Sequence, residues 1–150
     1  MELKLPPPVV FVITLALMYL LSRWIDWPVW LFAGNGYVAS ILLFVGVSIG
    51  VGATIGIKKQ RTTIEPRTPE KTTTLVVTGW FNYSRNPMYV SLVIELVAMV
   101  VWLGNPINYA LVMAFVAYIQ RFQIIPEERI LVELFGQQYR DYCARVRRWV

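Results

Sequence analysis

The chain has 150 residues, of which 57% are hydrophobic and only 15% charged, with a net charge of +5. A chain this apolar cannot stay disordered, and a soluble globule of this size has too little interior to hide it, so an integral membrane protein is the class that remains. With one cysteine, Cys143, and no histidine, an intramolecular disulfide, CxxC chemistry, His-based triads and the usual zinc ligand sets are excluded.

In chain order, the first apolar run predicts a membrane helix over residues 8–25. A signal peptide fits less well, because Glu2 sits among the few N-terminal charges and no small-x-small cleavage site follows. Arg23 can snorkel to the interface beside Trp24 and Trp27. Residues 28–57 carry no charge. One helix through all of them would run ~45 Å against a hydrocarbon core of ~30 Å. The Gly34-Asn35-Gly36 triplet therefore predicts a break, with a second span over 37–57 and residues 29–33 at the interface. Ser48, Gly52 and Gly56 share one face of that span, and Gly46 and Gly50 another. This small-xxx-small pattern predicts close helix packing, since a dinucleotide-type glycine loop lacks both its spacing and its βαβ context.

Residues 58–85 are polar and hold Lys58, Lys59, Arg61, Arg67, Lys71 and Arg85, with Pro66 and Pro69 opposing a long helix. Residues 86–120 then carry a single charge, Glu95, and Gly104-Asn105-Pro106 marks a turn in their middle. The expectation is a hairpin of spans 87–103 and 107–125. The tail, 126–150, is charged and reads as an amphipathic helix. The expected fold is all-α integral membrane: one domain over residues 1–150, about four transmembrane helices and a C-terminal cytoplasmic amphipathic helix. Twelve of the fourteen basic residues lie in 58–85 and 121–150 and none at 104–106, so the positive-inside rule puts both basic segments in the cytoplasm, where they can build a shared site. Lipid headgroups and topology account for the basic charge, and no nucleic-acid partner is expected.

Three features can carry chemistry. The stretch from Thr78 to Tyr89 packs aromatics, amides and Arg85 at a helix entrance led by Pro87. It reads either as an anion-accepting helix N-terminus or as an interfacial aromatic belt. Glu127 and Glu128 follow the last span directly; they either complement the helix dipole or face a cationic or hydroxyl-rich ligand such as a ribose diol or a sulfonium-bearing cofactor. Glu95, in mid-span, needs a partner, either a substrate or a buried structural hydrogen bond. Cys143 has no neighbouring base and reads as inert packing.

The pieces Leu75-Val76-Val77-Thr78-Gly79, Arg85-Asn86-Pro87-Met88-Tyr89, Arg121-Phe122, Glu127-Glu128-Arg129 and Phe135-Gly136-Gln137-Gln138-Tyr139 occur in one order. Over residues 72–150 this order resembles the isoprenylcysteine carboxyl methyltransferase family and its wider relatives, which include phospholipid N-methyltransferases; the N-terminal spans match only in hydropathy. The resemblance implies S-adenosylmethionine as methyl donor, bound on the cytoplasmic side without a Rossmann domain. It implies cofactor contacts from Thr73, Thr74, Leu75 and Val76, from Phe81 at the position of a family aromatic, from Asn86, Pro87, Met88 and Tyr89, and from Glu127. Arg85, Glu95, Arg121, Gln123 and Glu128 are candidates for the substrate or for support of the site. Asn86 stands where the family often has His, and Gln123 where prenylcysteine enzymes tend to place an Arg. No metal is expected. The implied function is methyl transfer to a lipophilic or lipid-anchored substrate, a carboxylate or a thiol. The alternatives are phospholipid or amine N-methylation, or a non-catalytic membrane scaffold that keeps the fold. Lateral entry of an apolar tail is expected along the two hairpin helices, with Gln123 near the head group.

Overall fold

The computed structural model describes residues 5–25, 28–59 and 74–150. Among them the fold is all helical. α1 (Pro7–Trp24) opens with Pro7 at its first position, where a missing N–H costs nothing. α2 (Asn35–Lys59) is a single uncharged rod until its last turn, where Lys58 and Lys59 stand. α3 (Pro87–Leu103) again starts on proline, and it stops at Gly104, whose φ of 64° is the left-handed conformation that ends helices. Beyond the turn come α4 (Asn108–Ile119), a π-helical turn (Gln120–Ile124) and α5 (Ile125–Arg145).

Three helical stretches are long and apolar enough to cross a membrane by length and composition: α1, α2 and the rod Asn108–Arg145, which bends at Gly136 and whose apolar part is α4 with the π turn after it. α3 is a shorter apolar helix of 17 residues, about 26 Å long. Residues facing away from the protein are apolar too, with Ile41 63% and Phe44 73% exposed, as a lipid-facing surface requires.

The chain runs up and down. Pro7, the end of α2, Pro87 and Glu127 meet at one end. At the other, Asn108 Nδ2 donates to Ser22 Oγ at 2.8 Å, Asn35 Nδ2 to the Val101 carbonyl at 3.2 Å, and Trp30 N–H to the Gly104 carbonyl at 2.6 Å. Residues 29–33, expected at the interface, thus close over the α3–α4 turn through Val29 and Leu31. The core joins α1, α3 and α4 through Met18, Leu96, Val100, Val112, Phe115 and Ile119. α2 packs along α3, whereas α1 packs on α4 and α3 and touches α2 marginally at most.

The α2–α3 seam rests on Gly46 and Gly50. A Cβ on Gly46 would stand 2.8 Å from Glu95 Cγ and 3.1 Å from the Ser91 carbonyl, and one on Gly50 2.8 Å from Ser91 Oγ. Gly52 meets the Trp80 indole instead, and Gly56 nothing.

The tail departs from expectation. It does not begin a separate helix at residue 126, because the rod runs on through Pro126. Proline lacks the N–H and crowds the carbonyl four residues back, and the wide π turn just before it absorbs both effects. The bend comes at Gly136 instead, with φ 51° and ψ −121°, a conformation that favours glycine. After Arg145 the last residues leave the helix and fold back toward the start of α3.

Candidate functional site

A cavity of about 710 Å³ opens where α1, α2, α3 and α5 meet. Its polar pole is built by three pieces of chain. The extended stretch at Leu75 and Val76 forms one wall, with Phe81 from the 3-10 turn Gly79–Asn82 beside it. The entrance to α3 brings Arg85, Asn86 and Tyr89, and the first turn of α5 brings Glu127 and Glu128. Tyr139 and Tyr142 close the pole from farther along α5.

The two carboxylates do different work. Glu128 is held by arginines on both sides: Arg85 Nη2 lies 2.8 Å from Oε1, and Arg148 reaches Oε2 with Nη2 at 2.7 Å and Oε1 with Nε at 3.1 Å. Glu127 accepts one hydrogen bond, from Tyr89 Oη at 2.6 Å, and its remaining surface opens on the cavity. Burial pushes the Glu127 carboxyl up to about 8; the Tyr89 hydrogen bond pulls it down, and the neighbouring Glu128 charge adds to the rise. Burial also keeps the Tyr139 and Tyr142 phenols protonated, well above the usual tyrosine range. Tyr142 Oη spends its proton on the Phe81 carbonyl, 2.6 Å away, and so ties the 3-10 turn to α5.

The C-terminal residues strap this pole together. Arg85 N–H donates to the Arg147 carbonyl at 3.0 Å, Asn86 Nδ2 to the Arg148 carbonyl at 2.9 Å, and Trp149 Nε1 to Gln120 Oε1 at 3.0 Å. Asn86 therefore does not cap α3 with its side chain; it binds the strap.

From the pole the cavity continues as an apolar limb between α1 and α2, floored by α3. Pro7 and Pro8 form one side, Val47, Val51 and Ile55 the other, and Met88, Ser91, Leu92 and Glu95 the floor. Those four floor residues follow helical spacing and share one face of α3.

Thr74, Leu75, Val76, Phe81, Asn86, Pro87, Met88, Tyr89 and Glu127 thus line one cavity, together with Arg85, Glu95 and Glu128. Thr73 lies outside the described residues. Two candidates are elsewhere. Gln123 is fully buried and donates from Nε2 to the Leu5 carbonyl at 2.6 Å, so it fastens the start of α1 rather than facing a head group. Arg121 is exposed and stacks on Phe122, 5.7 Å from its ring centre. The cavity also departs from the expected hairpin, because α4 contributes no residue to it, whereas α1 and α2 do. The sequence reading missed Tyr139, Tyr142 and the strap. The i, i+3 tyrosines on the amphipathic tail were a usable signal; the strap had none.

The chain belongs to the phospholipid methyltransferase family, whose model matches residues 35–138, most of the chain. A protein of Haemophilus influenzae described as uncharacterized is 44% identical over 63 residues, which are 42% of this chain and the whole of that protein. No solved structure matches. Family and apolar helices together make this a membrane methyltransferase of lipid-like substrates.

Proposed function

We propose that the protein transfers a methyl group from S-adenosylmethionine to a lipophilic acceptor that enters from the bilayer between α1 and α2. The observation that carries this reading is the single cavity of about 710 Å³ with a carboxylate–arginine pole and an apolar limb. In this reading α3 is a fourth span and the pole faces the cytoplasm, as the basic residues Lys58, Arg85 and Arg148 around it favour.

The pole suits a zwitterionic adenosyl group. Glu127 offers a carboxylate to a ribose diol or ammonium, and Leu75, Val76 and Phe81 offer apolar walls to a flat base. The buried Arg85 Nε, with no acceptor among the described residues, is a donor for a carboxylate. When bound, S-adenosylmethionine supplies an electrophilic methyl on a sulfonium. The chain's part is to hold, align and keep water away. Tyr89 orients Glu127, the Arg85–Glu128–Arg148 network fixes the entrance of α3, and the limb holds the acceptor's tail so that binding energy places its reactive head. A carboxylate or thiolate acceptor needs no base, in keeping with the absence of histidine. The family description favours a second reading, N-methylation of a phospholipid amine.

Membranes carrying the protein, incubated with methyl-labelled donor, are expected to yield a labelled lipophilic product whose analysis separates O-, S- and N-methylation. Label confined to water-soluble products would reject lateral delivery.

A further inference from the structure

Glu95 is the only acidic residue in the apolar limb among the described residues, and it stands on the α3 face that floors it. It lies seven residues beyond Met88, about 10 Å deeper along the helix. Its position is built in: Gly46 leaves room on α2 for Glu95 Cγ, and any larger residue would collide with it. The residue is half-buried, yet no hydrogen bond or ion pair joins its carboxyl group to another described residue. The nearby Ser91 hydroxyl cannot serve it, because it donates its one proton to the Met88 carbonyl at 2.7 Å.

We propose that Glu95 selects the substrate's tail: with the reactive head at the level of Met88, in the first turn of α3, it accepts a hydrogen bond from a hydroxyl or amine carried about 10 Å farther along. The proposal rests on the lateral-cleft reading above and narrows its substrate class from any apolar tail to an amphiphile with a second polar point. A saturated chain displaces the water that serves Glu95 and returns no donor, leaving a polar group buried unpaired. A site built around such a bond discriminates far more sharply than a hydrophobic slot.

The test measures binding, independently of turnover, by competition against a fluorescent fatty acid in nanodiscs. The competitors are myristate and two derivatives bearing a hydroxyl or an amine about 10 Å from the carboxylate. Wild type is expected to bind the two derivatives at least tenfold more tightly than myristate. Glu95→Leu is expected to reverse that order, and Glu95→Gln to keep the preference for the hydroxyl and lose most of that for the amine. Thermal unfolding of each variant confirms that it is folded. Equal affinities in wild type, or a preference that survives Glu95→Leu, would overturn the proposal. A preserved preference in a protein whose membranes, given methyl-labelled donor, yield no labelled product at all would leave this site standing and refute the methyl-transfer reading instead.

Discussion

Glu127 shows how burial, set against one hydrogen bond and a neighbouring charge, can tune one residue. Glu128, its neighbour, is neutralised by two arginines, whereas among the described residues Glu127 has a phenol. Replacing it by glutamine removes the charge that the carboxyl carries above about pH 8 and keeps the shape. At pH 9 Glu127→Gln is therefore expected to weaken donor binding roughly tenfold, the value of one charge-assisted hydrogen bond, as titration calorimetry measures. Wild-type affinity in the variant would make Glu127 a residue of the helix dipole only. Its pH behaviour has a definite sign. The carboxyl ionises near pH 8 in the folded protein and near 4.5 when unfolded, so the folded state holds the extra proton between these values. Stability from this group is full below the unfolded value, falls as pH rises through that window and levels off above it. Donor affinity, if the carboxylate is the binding form, runs the other way and rises toward pH 8. Thermal unfolding and calorimetry across pH 5–9 should show both slopes in wild type and neither difference in Glu127→Gln.

The helices were largely legible as elements. Windows with few charges delimit α1 to α4, and Gly104-Asn105-Pro106 marks the hairpin, because in lipid a charge or a turn at the wrong depth is costly. Of the two glycine faces on α2, packing was legible, but not which face packs on α3, because the partner lies far along the chain. Gly46→Ala is expected to lower stability by about 1–3 kcal/mol, since the new methyl meets Glu95 and the Ser91 backbone. Gly56→Ala, with nothing near, should be neutral or gain up to about 1 kcal/mol from helix propensity. Equal effects in a detergent melt would show that α2 and α3 are not so closely apposed. The rod's continuity through Pro126 was not legible, because proline reads locally as a break and only the π turn before it says otherwise. The strap was invisible for a related reason: Arg147 and Arg148 look like a solvated basic end, and their partners in segment 84–86 and at Glu128 are 20 or more residues upstream. Glu128→Ala leaves two arginines facing each other, and breaking such a partly buried network is expected to cost about 3 kcal/mol. Deleting residues 146–150 should lower the melting temperature and weaken donor binding together, since the same bonds fix the entrance of α3. A truncated chain with unchanged donor affinity would reduce the strap to a tether.

For the whole molecule, the decisive fact is which helices meet marginally at most. α2 and α1 both lean on α3 but leave a cleft between them, and hydropathy alone could not reveal it, because a lipid-facing residue and a tail-facing residue are equally apolar. The motifs of residues 74–89 and 127–128 announced the pole of the cavity; the limb belongs to Pro7, Pro8 and the last turns of α2, where no motif lies. If the acceptor's tail lies in that limb, each added methylene buried there contributes up to about 0.8 kcal/mol until the limb is filled. Binding energy gained far from the reacting head then appears in catalysis. kcat/KM is therefore expected to climb severalfold per two carbons in an acceptor series sharing one reactive group, and then to flatten once the chain extends beyond the cleft into lipid. Val51 is half exposed at the cleft's edge, at 53%, so Val51→Trp narrows the opening without placing a polar group in the membrane. In that variant the plateau should move to shorter chains. An aqueous entrance predicts something else: rates that ignore chain length at matched free concentration, and a Val51→Trp variant with the same profile as wild type. Measuring both proteins with the same series in nanodiscs separates the two routes, because only entry through the cleft links the shape of the chain-length curve to a residue on α2.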